Sequence, residues 1–269
     1  MAPRLTIVTP SLNQAAFVER TLRSVLDQGY ENLEYLVVDG GSTDGSVDVI
    51  RRYEDRLAWW VSEPDRGQTD AINKALRRAT GDIVAYINSD DYYLPGAFAT
   101  AVALLEANPD ALWAAGASRF VDADGNVQHV WRPTLPVSRA RYWLAGARWS
   151  APQPSTFWRR ECFERYGLFR EDMHYVFDTE YAVRLAFNGH LPAITDEELA
   201  VRVVHEDAKS WDLRPFELEG IAMEREYRAR LTRRERAEYA VKRGLIALGV
   251  HHAVDRVGRG LRKAGLLRR

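Results

Sequence analysis

A chain of 269 residues, 46% hydrophobic and 28% charged, has room for one large globular domain or one domain with an appendage. Its one cysteine, Cys162, excludes an intrachain disulfide and a cysteine-based zinc site. The formal net charge of -1 hides an asymmetry: residues 225 to 269 carry 14 Lys and Arg against 4 Asp and Glu, so the part before them is acidic, 23 against 34.

Met1-Ala2-Pro3-Arg4 runs straight into a strand-like segment without a signal-peptide pattern. Eighteen consecutive apolar residues occur nowhere, so a cytoplasmic location is expected. Leu5 to Pro10 reads as a first strand, stopped by Pro10, which cannot donate to a ladder. Asn13 is placed to cap a helix carrying Phe17, Leu22, Val25 and Leu26, with Gly29 to end it. Leu33 to Asp39 is a second strand that delivers Asp39 to its carboxyl end. Gly40-Gly41-Ser42-Thr43-Asp44-Gly45-Ser46 is a polar turn in which Thr43 or Asp44 can cap the helix of Val47 and Ile50. Leu57 to Ser62, with Trp59 and Trp60, is a third strand, and Thr69 to Ala79 a helix.

Ile83-Val84-Ala85-Tyr86-Ile87 is an apolar run fit for a strand buried on both faces, and it ends in Asn88-Ser89-Asp90-Asp91. The order β-α-β-α-β-α-β with short links predicts an α/β fold, a parallel sheet with helices on both faces. Right-handed crossovers bring Thr9-Pro10, Asp39 and Asp90 to one rim, where open α/β sheets bind ligands.

A helix is predicted from Pro95 through Leu104 and Leu105. Asp122-Ala123-Asp124-Gly125 is a hairpin signal between strands Leu112–Val121 and Val127–Trp131. Ser138 can cap a short helix through Tyr142, Trp143 and Leu144, and Pro152 to Trp158 is extended. Tyr175 to Asn188 is a helix with Asp178 and Glu180 near its start, closed by Gly189. Leu199 to Val204 is a strand ending at His205, and from Phe216 onward the chain is helical, basic and amphipathic in patches.

Two adjacent carboxylates repel each other and resist dehydration, so Asp90 and Asp91 call for a cation. A hard divalent ion bridging to substrate phosphates is one reading, and an acidic capping turn is the other. A Walker loop, a G-x-G-x-x-G turn and a G-x-S-x-G elbow are all absent. An acidic rim with a later carboxylate matches sugar transfer from a nucleotide diphosphate. A metal there stabilises the departing phosphates, and a base takes the acceptor's proton. Two alternatives stand beside it. One is a sugar-phosphate nucleotidyltransferase, although its glycine-rich, Arg-containing N-terminal loop is missing here. The other is a non-catalytic nucleotide- or glycan-binding module.

Several stretches carry a family resemblance over residues 4 to 210. They are Thr9-Pro10-Ser11-Leu12-Asn13-Gln14, Val37-Val38-Asp39-Gly40-Gly41-Ser42-Thr43-Asp44-Gly45-Ser46, Ser62-Glu63-Pro64-Asp65-Arg66-Gly67-Gln68-Thr69-Asp70 and Asn88-Ser89-Asp90-Asp91, then Gln153-Pro154-Ser155-Thr156-Phe157 and Phe177-Asp178-Thr179-Glu180-Tyr181. In this order they resemble the inverting, GT-A-fold glycosyltransferases of family 2 that build bacterial surface polysaccharides. The resemblance implies a Rossmann-like, mostly parallel central sheet flanked by helices, with a C-terminal helical extension. The catalytic domain would span 1–212, with a nucleotide-binding half (1–95) and an acceptor-binding half (96–212). The basic amphipathic extension would span 213–269.

The same resemblance assigns Thr9, Pro10 and Asn13 to the nucleotide pocket, Asp39 to the base or ribose, Asp90 to the ribose and Asp91 to Mn2+ or Mg2+ beside the diphosphate. Gln68 is counted with the nucleotide-sugar pocket, ordinary capping being its other reading. The family's second acidic motif is usually Glu-Asp at the head of a helix, with the Asp as catalytic base. Phe177-Asp178 stands there in this chain, which makes Asp178 the base and Glu180 its rival, though helical geometry turns Glu180 away. His205 matches a position that can approach the metal or diphosphate, a solvated or core histidine being the alternative. Trp59, Trp60 and Trp158 read as core or wall, and Trp143 and Trp149 as candidates to meet a sugar ring. The implied donor is a nucleotide-diphosphate sugar, with UDP the first choice, and the acceptor a glycan or lipid-linked hydroxyl. Lys242, Arg243, Arg256, Arg259, Arg262 and Lys263 interleave with leucines and valines, a pattern suited to peripheral contact with the inner membrane face or to packing on the acidic body. Nucleic acid is not an expected partner.

Overall fold

The structure, a computed structural model, describes residues 2–133, 151–206, 208–209 and 211–247. The expected short helix after Ser138, Trp143, Trp149 and the basic residues from Arg256 onward lie outside the described residues.

The first half alternates strands and helices as the sequence implies: β1 (Leu5–Ser11), α1 (Val18–Leu26), β2 (Leu33–Asp39), α2 (Ser46–Arg51), β3 (Trp59–Ser62), α3 (Gln68–Leu76) and β4 (Ile83–Tyr86). After the two-residue β5 (Tyr92–Tyr93) come α4 (Ala97–Glu106) and the hairpin of β6 (Trp113–Asp122) with β7 (Val127–Trp131). Then follow β8 (Thr156–Arg159), α5 (Glu161–Tyr166), α6 (Phe177–Phe187), β9 (Ala193–Val204), α7 (Arg214–Ala229) and α8 (Arg233–Ala247).

All the described strands join one sheet in the order β3-β2-β1-β4-β8-β6-β9-β5, with β7 beside β6. The four N-terminal strands are parallel, β8 joins antiparallel to both β4 and β6, and β6 and β9 pair in parallel. This is the curled α/β sheet with flanking helices that the sequence predicts. β8 is the seam at which its Rossmann-like half meets a mixed one.

Side chains alternate across a strand, so a strand covered on both sides is mostly apolar and its polar side chains need partners. β1 is buried throughout, with Leu5, Ile7 and Val8 in the two cores and the Thr6 and Thr9 hydroxyls bonded to Glu34 and Tyr35. Val8, Leu36, Val38, Val84 and Tyr86 form one face with Ile72 of α3, while Leu5, Ile7, Tyr35, Val37 and Ile83 form the other with Leu22 of α1 and Phe98 of α4. Trp158 belongs to the first of these cores, and Trp59 and Trp60 pack against the two from the edge.

Two local expectations are corrected. Pro10 does not end β1, which continues in register through Ser11 opposite Asp39. The Val8 carbonyl accepts from Ile87 on the β4 side, so two residues on the missing N–H of Pro10 points where β4 has already ended. Asn13 does not cap α1 either. The helix begins at Val18, and Asn13 sits at φ +53°, a left-handed conformation that Asn tolerates. Its Oδ1 accepts the Thr43 N–H at 2.9 Å and thereby clips the β1–α1 loop to the β2–α2 turn.

The expected boundary after residue 212 falls just before α7. Met223 and Tyr227 of α7, Leu231, and Tyr239 of α8 lie in the same buried cluster as Phe169, Tyr181 and Leu185.

One glycine shows how closely the elements approach. A Cβ on Gly81 would lie 2.5 Å from Thr6 Oγ1, 2.7 Å from Thr6 N and 2.9 Å from Arg4 O, two of them backbone atoms that cannot move aside. Gly81→Ala is therefore expected to destabilise the fold by about 1–3 kcal/mol in denaturant unfolding. Gly220→Ala, in α7 with nothing within 4 Å, should stabilise it by about 0.5–1 kcal/mol. Equal midpoints for the two variants would contradict this packing.

Candidate active site

The carboxyl ends of β1, β2 and β4 form one rim, but its acids stand in different environments. Asp39 closes β2 fully buried. Its Oδ2 accepts from the N–H groups of Gly41 (3.0 Å) and Ser42 (2.9 Å) and from Ser62 Oγ (2.7 Å), and its Oδ1 from Ser42 Oγ. A carboxylate offers about four lone-pair sites. Four protein donors reach Asp39, three at Oδ2 and one at Oδ1, and they hold the turn over 40–42 in shape. Thr9 is likewise buried, its hydroxyl 2.9 Å from Tyr35 Oη.

Asp44 completes this end of the rim by accepting from the Ala15 and Ser46 N–H groups and from Ser46 Oγ. Burial opposes its charge, but these bonds prevail and hold its carboxyl below the usual range. Thr9, Pro10, Asn13 and Asp39 thus cluster where β1 and β2 end, and none of them lines the cavity described next.

That cavity opens beyond β4. Gln68, Asn88, Asp90, Asp91, Asp178 and Lys209 line it together. Gln68 stands at the first position of α3, its Nε2 donating to Asn88 Oδ1 at 2.6 Å. Asp91 is 2% exposed, and its Oδ1 accepts the Val203 N–H of β9 at 3.0 Å. Burial first, and the charge of Asp90 second, push the Asp91 carboxyl well above its ordinary value against the opposing pull of Arg202 and the Val203 N–H. Thr21 of α1 fixes the corner from behind by donating to the carbonyls of Ser89 (2.8 Å) and Asp91 (2.6 Å). His205 joins through Asp90, with Nε2 3.2 Å from Asp90 Oδ2 and its ring stacked on Phe17 at 4.4 Å. Its Nδ1 is buried with no partner among the described residues.

The two rival carboxylates of α6 are placed very differently. Asp178 lies in the first turn, accepts the Thr179 N–H at 2.6 Å and lines the cavity. Burial raises its proton affinity, and the nearby charges of Arg202 and Lys209 restrain the rise. Glu180 is 1% exposed and turned into the core. There Arg184 grips both its oxygens (3.1 and 2.5 Å), and Tyr227 Oη of α7 donates to it at 2.5 Å.

Helix α7 also sets the approach to Asp178. The Glu219 carboxylate accepts three consecutive N–H groups, from His174 (2.8 Å), Tyr175 (2.6 Å) and Val176 (2.7 Å), which are the donors exposed just ahead of α6. Lys209 crosses the cleft mouth, its Nζ donating to Gln68 Oε1 at 3.0 Å and to the His174 carbonyl.

Comparison with known proteins places this arrangement. The model of Glycosyl transferase family 2 matches residues 6–167. An uncharacterized glycosyltransferase of Mycobacterium tuberculosis is 32% identical over 189 residues, 69% of this chain and 70% of that one. The chain belongs to glycosyl transferase family 2.

This glycosyltransferase is also 41% identical over 92 residues to the putative teichuronic acid biosynthesis glycosyltransferase TuaG of Bacillus subtilis, covering 33% of this chain and 36% of TuaG. Among solved structures, S. aureus TarS 1-349 in complex with UDP-GlcNAc aligns with a TM-score of 0.61 at 19% identity, over 76% of this chain and 60% of that one. The mannosyltransferase PcManGT of Pyrobaculum calidifontis, in complex with GDP-Man and Mn2+, aligns with a TM-score of 0.59 at 23% identity, over 99% of this chain and 87% of that one. At these identities the two structures speak for the fold, which is GT-A.

Gln153, Arg202 and Lys209 of the glycosyltransferase's cleft are not among the site residues expected from sequence. Gln153 lies inside a quoted motif, and its Nε2 bonds the Tyr86 carbonyl at 2.8 Å, so it could have been picked out. Lys209 carries no motif. No helix among the described residues is long and apolar enough to cross a membrane.

The contrast between Asp178 and Glu180 can be tested by stability alone. Glu180→Gln leaves Arg184 without its counter-charge in a largely buried site and should cost about 3–5 kcal/mol in chemical denaturation. Asp178→Asn, whose parent makes no ion pair shorter than 4 Å among the described residues, should leave the midpoint unchanged or raise it. A reversed order would contradict the placement of the two side chains.

Proposed function

We propose that the protein transfers a sugar from a nucleoside diphosphate sugar to a hydroxyl of a glycan or lipid-linked acceptor, with inversion, in bacterial polysaccharide synthesis. The observation that carries this reading is the convergence of Asp90, Asp91 and Asp178 on one cleft. UDP is the nucleotide assigned first. The UDP-GlcNAc and GDP-Man of the two aligned structures support a nucleotide-sugar donor in general, and the likeness to TuaG supports a role in polysaccharide synthesis.

Asp178 is the proposed base. A carboxylate raised by burial accepts a proton more readily near neutral pH than an ordinary one. In a single displacement, the acceptor O–H bond breaks and its proton passes to Asp178. The acceptor oxygen forms a bond to the anomeric carbon, and the bond on its opposite face breaks with the electron pair leaving on the nucleoside diphosphate. Lys209 and Arg202, both lining the cavity, supply positive charge to the departing group. Thr9, Pro10, Asn13, Asp39 and Gln68 are assigned to the nucleotide side, where Asp39 acts through the turn it holds.

The residues around Asp91 fit a divalent cation. A buried carboxylate beside a second one, with an imidazole nitrogen left unpartnered close by, is a cluster short of positive charge. Among the described residues no three acidic, His or Cys side chains enclose an ion by themselves, which suits Mg2+ or Mn2+ held by one or two carboxylates and by substrate phosphates. We assign Asp91 to the metal, with His205 next to it and Asp90 to the ribose. The Mn2+ in PcManGT supports divalent metal use. When bound, the ion would neutralise charge gathering on the leaving diphosphate.

Two measurements test the site. Asp178→Asn should lower transfer by about 100- to 10,000-fold while donor affinity stays within twofold of wild type; sustained turnover would move the base elsewhere. In metal-free protein, the raised Asp91 carboxyl means that the native state holds its proton to higher pH than the unfolded chain does. Wild-type stability from this group is then present at acid pH and falls as pH rises through the interval between the two values. Asp91→Asn should therefore melt above wild type at neutral pH, with the gap closing toward pH 4. Mn2+ with UDP should raise the wild-type midpoint but not that of the variant. Equal responses from both proteins would remove Asp91 from the metal site.

A further inference from the structure

Helix α7 is apolar on two opposite faces. Met223 and Tyr227, 1% and 2% exposed, point into the core with Phe216 packed beside them. At 100° per residue, Leu218 and Ile221 fall on the far side, together with Arg214, Arg225 and Arg228. Leu218 and Ile221 are 61% and 55% exposed, and just before the helix Trp211 and Leu213 are 58% and 54% exposed. Of the seven large hydrophobic side chains exposed among the described residues, four fall within these eleven positions. The outer face of a surface helix ordinarily carries polar residues, so a clustered apolar ridge marks a docking surface.

The start of the ridge adjoins the cleft: Ala208 and Lys209 line the cavity, and the Trp211 N–H donates to the Ala208 carbonyl at 2.8 Å. Charge selects the occupant. Arg214, Arg225 and Arg228 flank the ridge against two acids, Asp212 and Glu217, and none of the three arginines has an acidic side-chain partner within 4 Å among the described residues. Residues 248–269 hold six Lys and Arg against one Asp, so laying that segment on the ridge would set like charge against like, as would a second copy of the ridge. An anionic bilayer instead takes the leucine, isoleucine and tryptophan at its acyl boundary and the arginines among its headgroups.

The geometry points to this ridge as the seat of an anionic phospholipid surface, which brings the mouth of the cleft to the lipid interface. The inference stands on surface chemistry and needs neither the assigned base nor the assigned donor.

Flotation of the full chain with vesicles tests it. Wild type should float with vesicles containing phosphatidylglycerol, remain below with pure phosphatidylcholine, and release as salt rises. The double variant Leu218→Ser/Ile221→Ser, at solvent-exposed positions, should lose its bound fraction about tenfold or more while keeping the wild-type melting midpoint and its transfer rate to a water-soluble acceptor. Two results would overturn the proposal: equal flotation of variant and wild type, or failure of wild type to float. Sedimentation showing that the variant splits a dimer, with flotation unaltered, would assign the ridge to self-association instead. Absence of transfer in both proteins would count against the catalytic reading and leave the flotation result standing.

Discussion

Asp91 is held almost entirely out of water, beside a second carboxylate, and the neighbouring elements are arranged around that fact. Its Oδ1 takes the Val203 N–H, so the end of β4 is tied to the end of β9 across the two halves of the sheet. Thr21 holds the carbonyls of the same corner from α1, and Asn88, three residues earlier, reaches Gln68 at the head of α3. Burying such a group opposes folding, because desolvation disfavours the ion and Asp90 disfavours it further. A fold that sustains this arrangement does so from the strength of its two apolar layers, and it leaves the deficit of positive charge at the place where a charged substrate enters.

The rim shows that acids brought together by topology need not share a duty. Asp39 accepts backbone and hydroxyl donors that shape a turn, three of them at Oδ2. Glu180 takes three bonds from Arg184 and Tyr227, and its charge is spent inside the core. Asp90, Asp91 and Asp178 share the cleft, and burial raises the proton affinity of Asp91 and Asp178.

Much of this could be read from the residues. The parallel half was accessible because its strands are buried on both faces and therefore mostly apolar, as the runs within Leu5 to Ser11 and Leu33 to Asp39 are. The ends of those strands were accessible too, since Asp39, Asp90 and Asp91 stop the apolar runs. Asn13 misled because a polar residue ahead of an amphipathic run looks like a cap, whereas its side chain serves a turn thirty residues away. Pro10 misled because the cost of a missing donor depends on which neighbour it faces, a fact of topology. Glu219 and Lys209 left no local trace. Each acts on backbone or side chains more than thirty positions distant, and nothing in their immediate neighbours announces it.

The region matched by the family ends at residue 167, ahead of the helix that carries Asp178. The three amides gathered by Glu219, and the grip of Tyr227 on Glu180, make that helix and α7 one mechanical piece. A chimera between relatives should therefore cross over before residue 168 or after residue 231, and never between them. Within those limits the segment is a cassette: evolution could exchange the helix that carries Asp178 together with its brace while the parallel sheet stayed as it was.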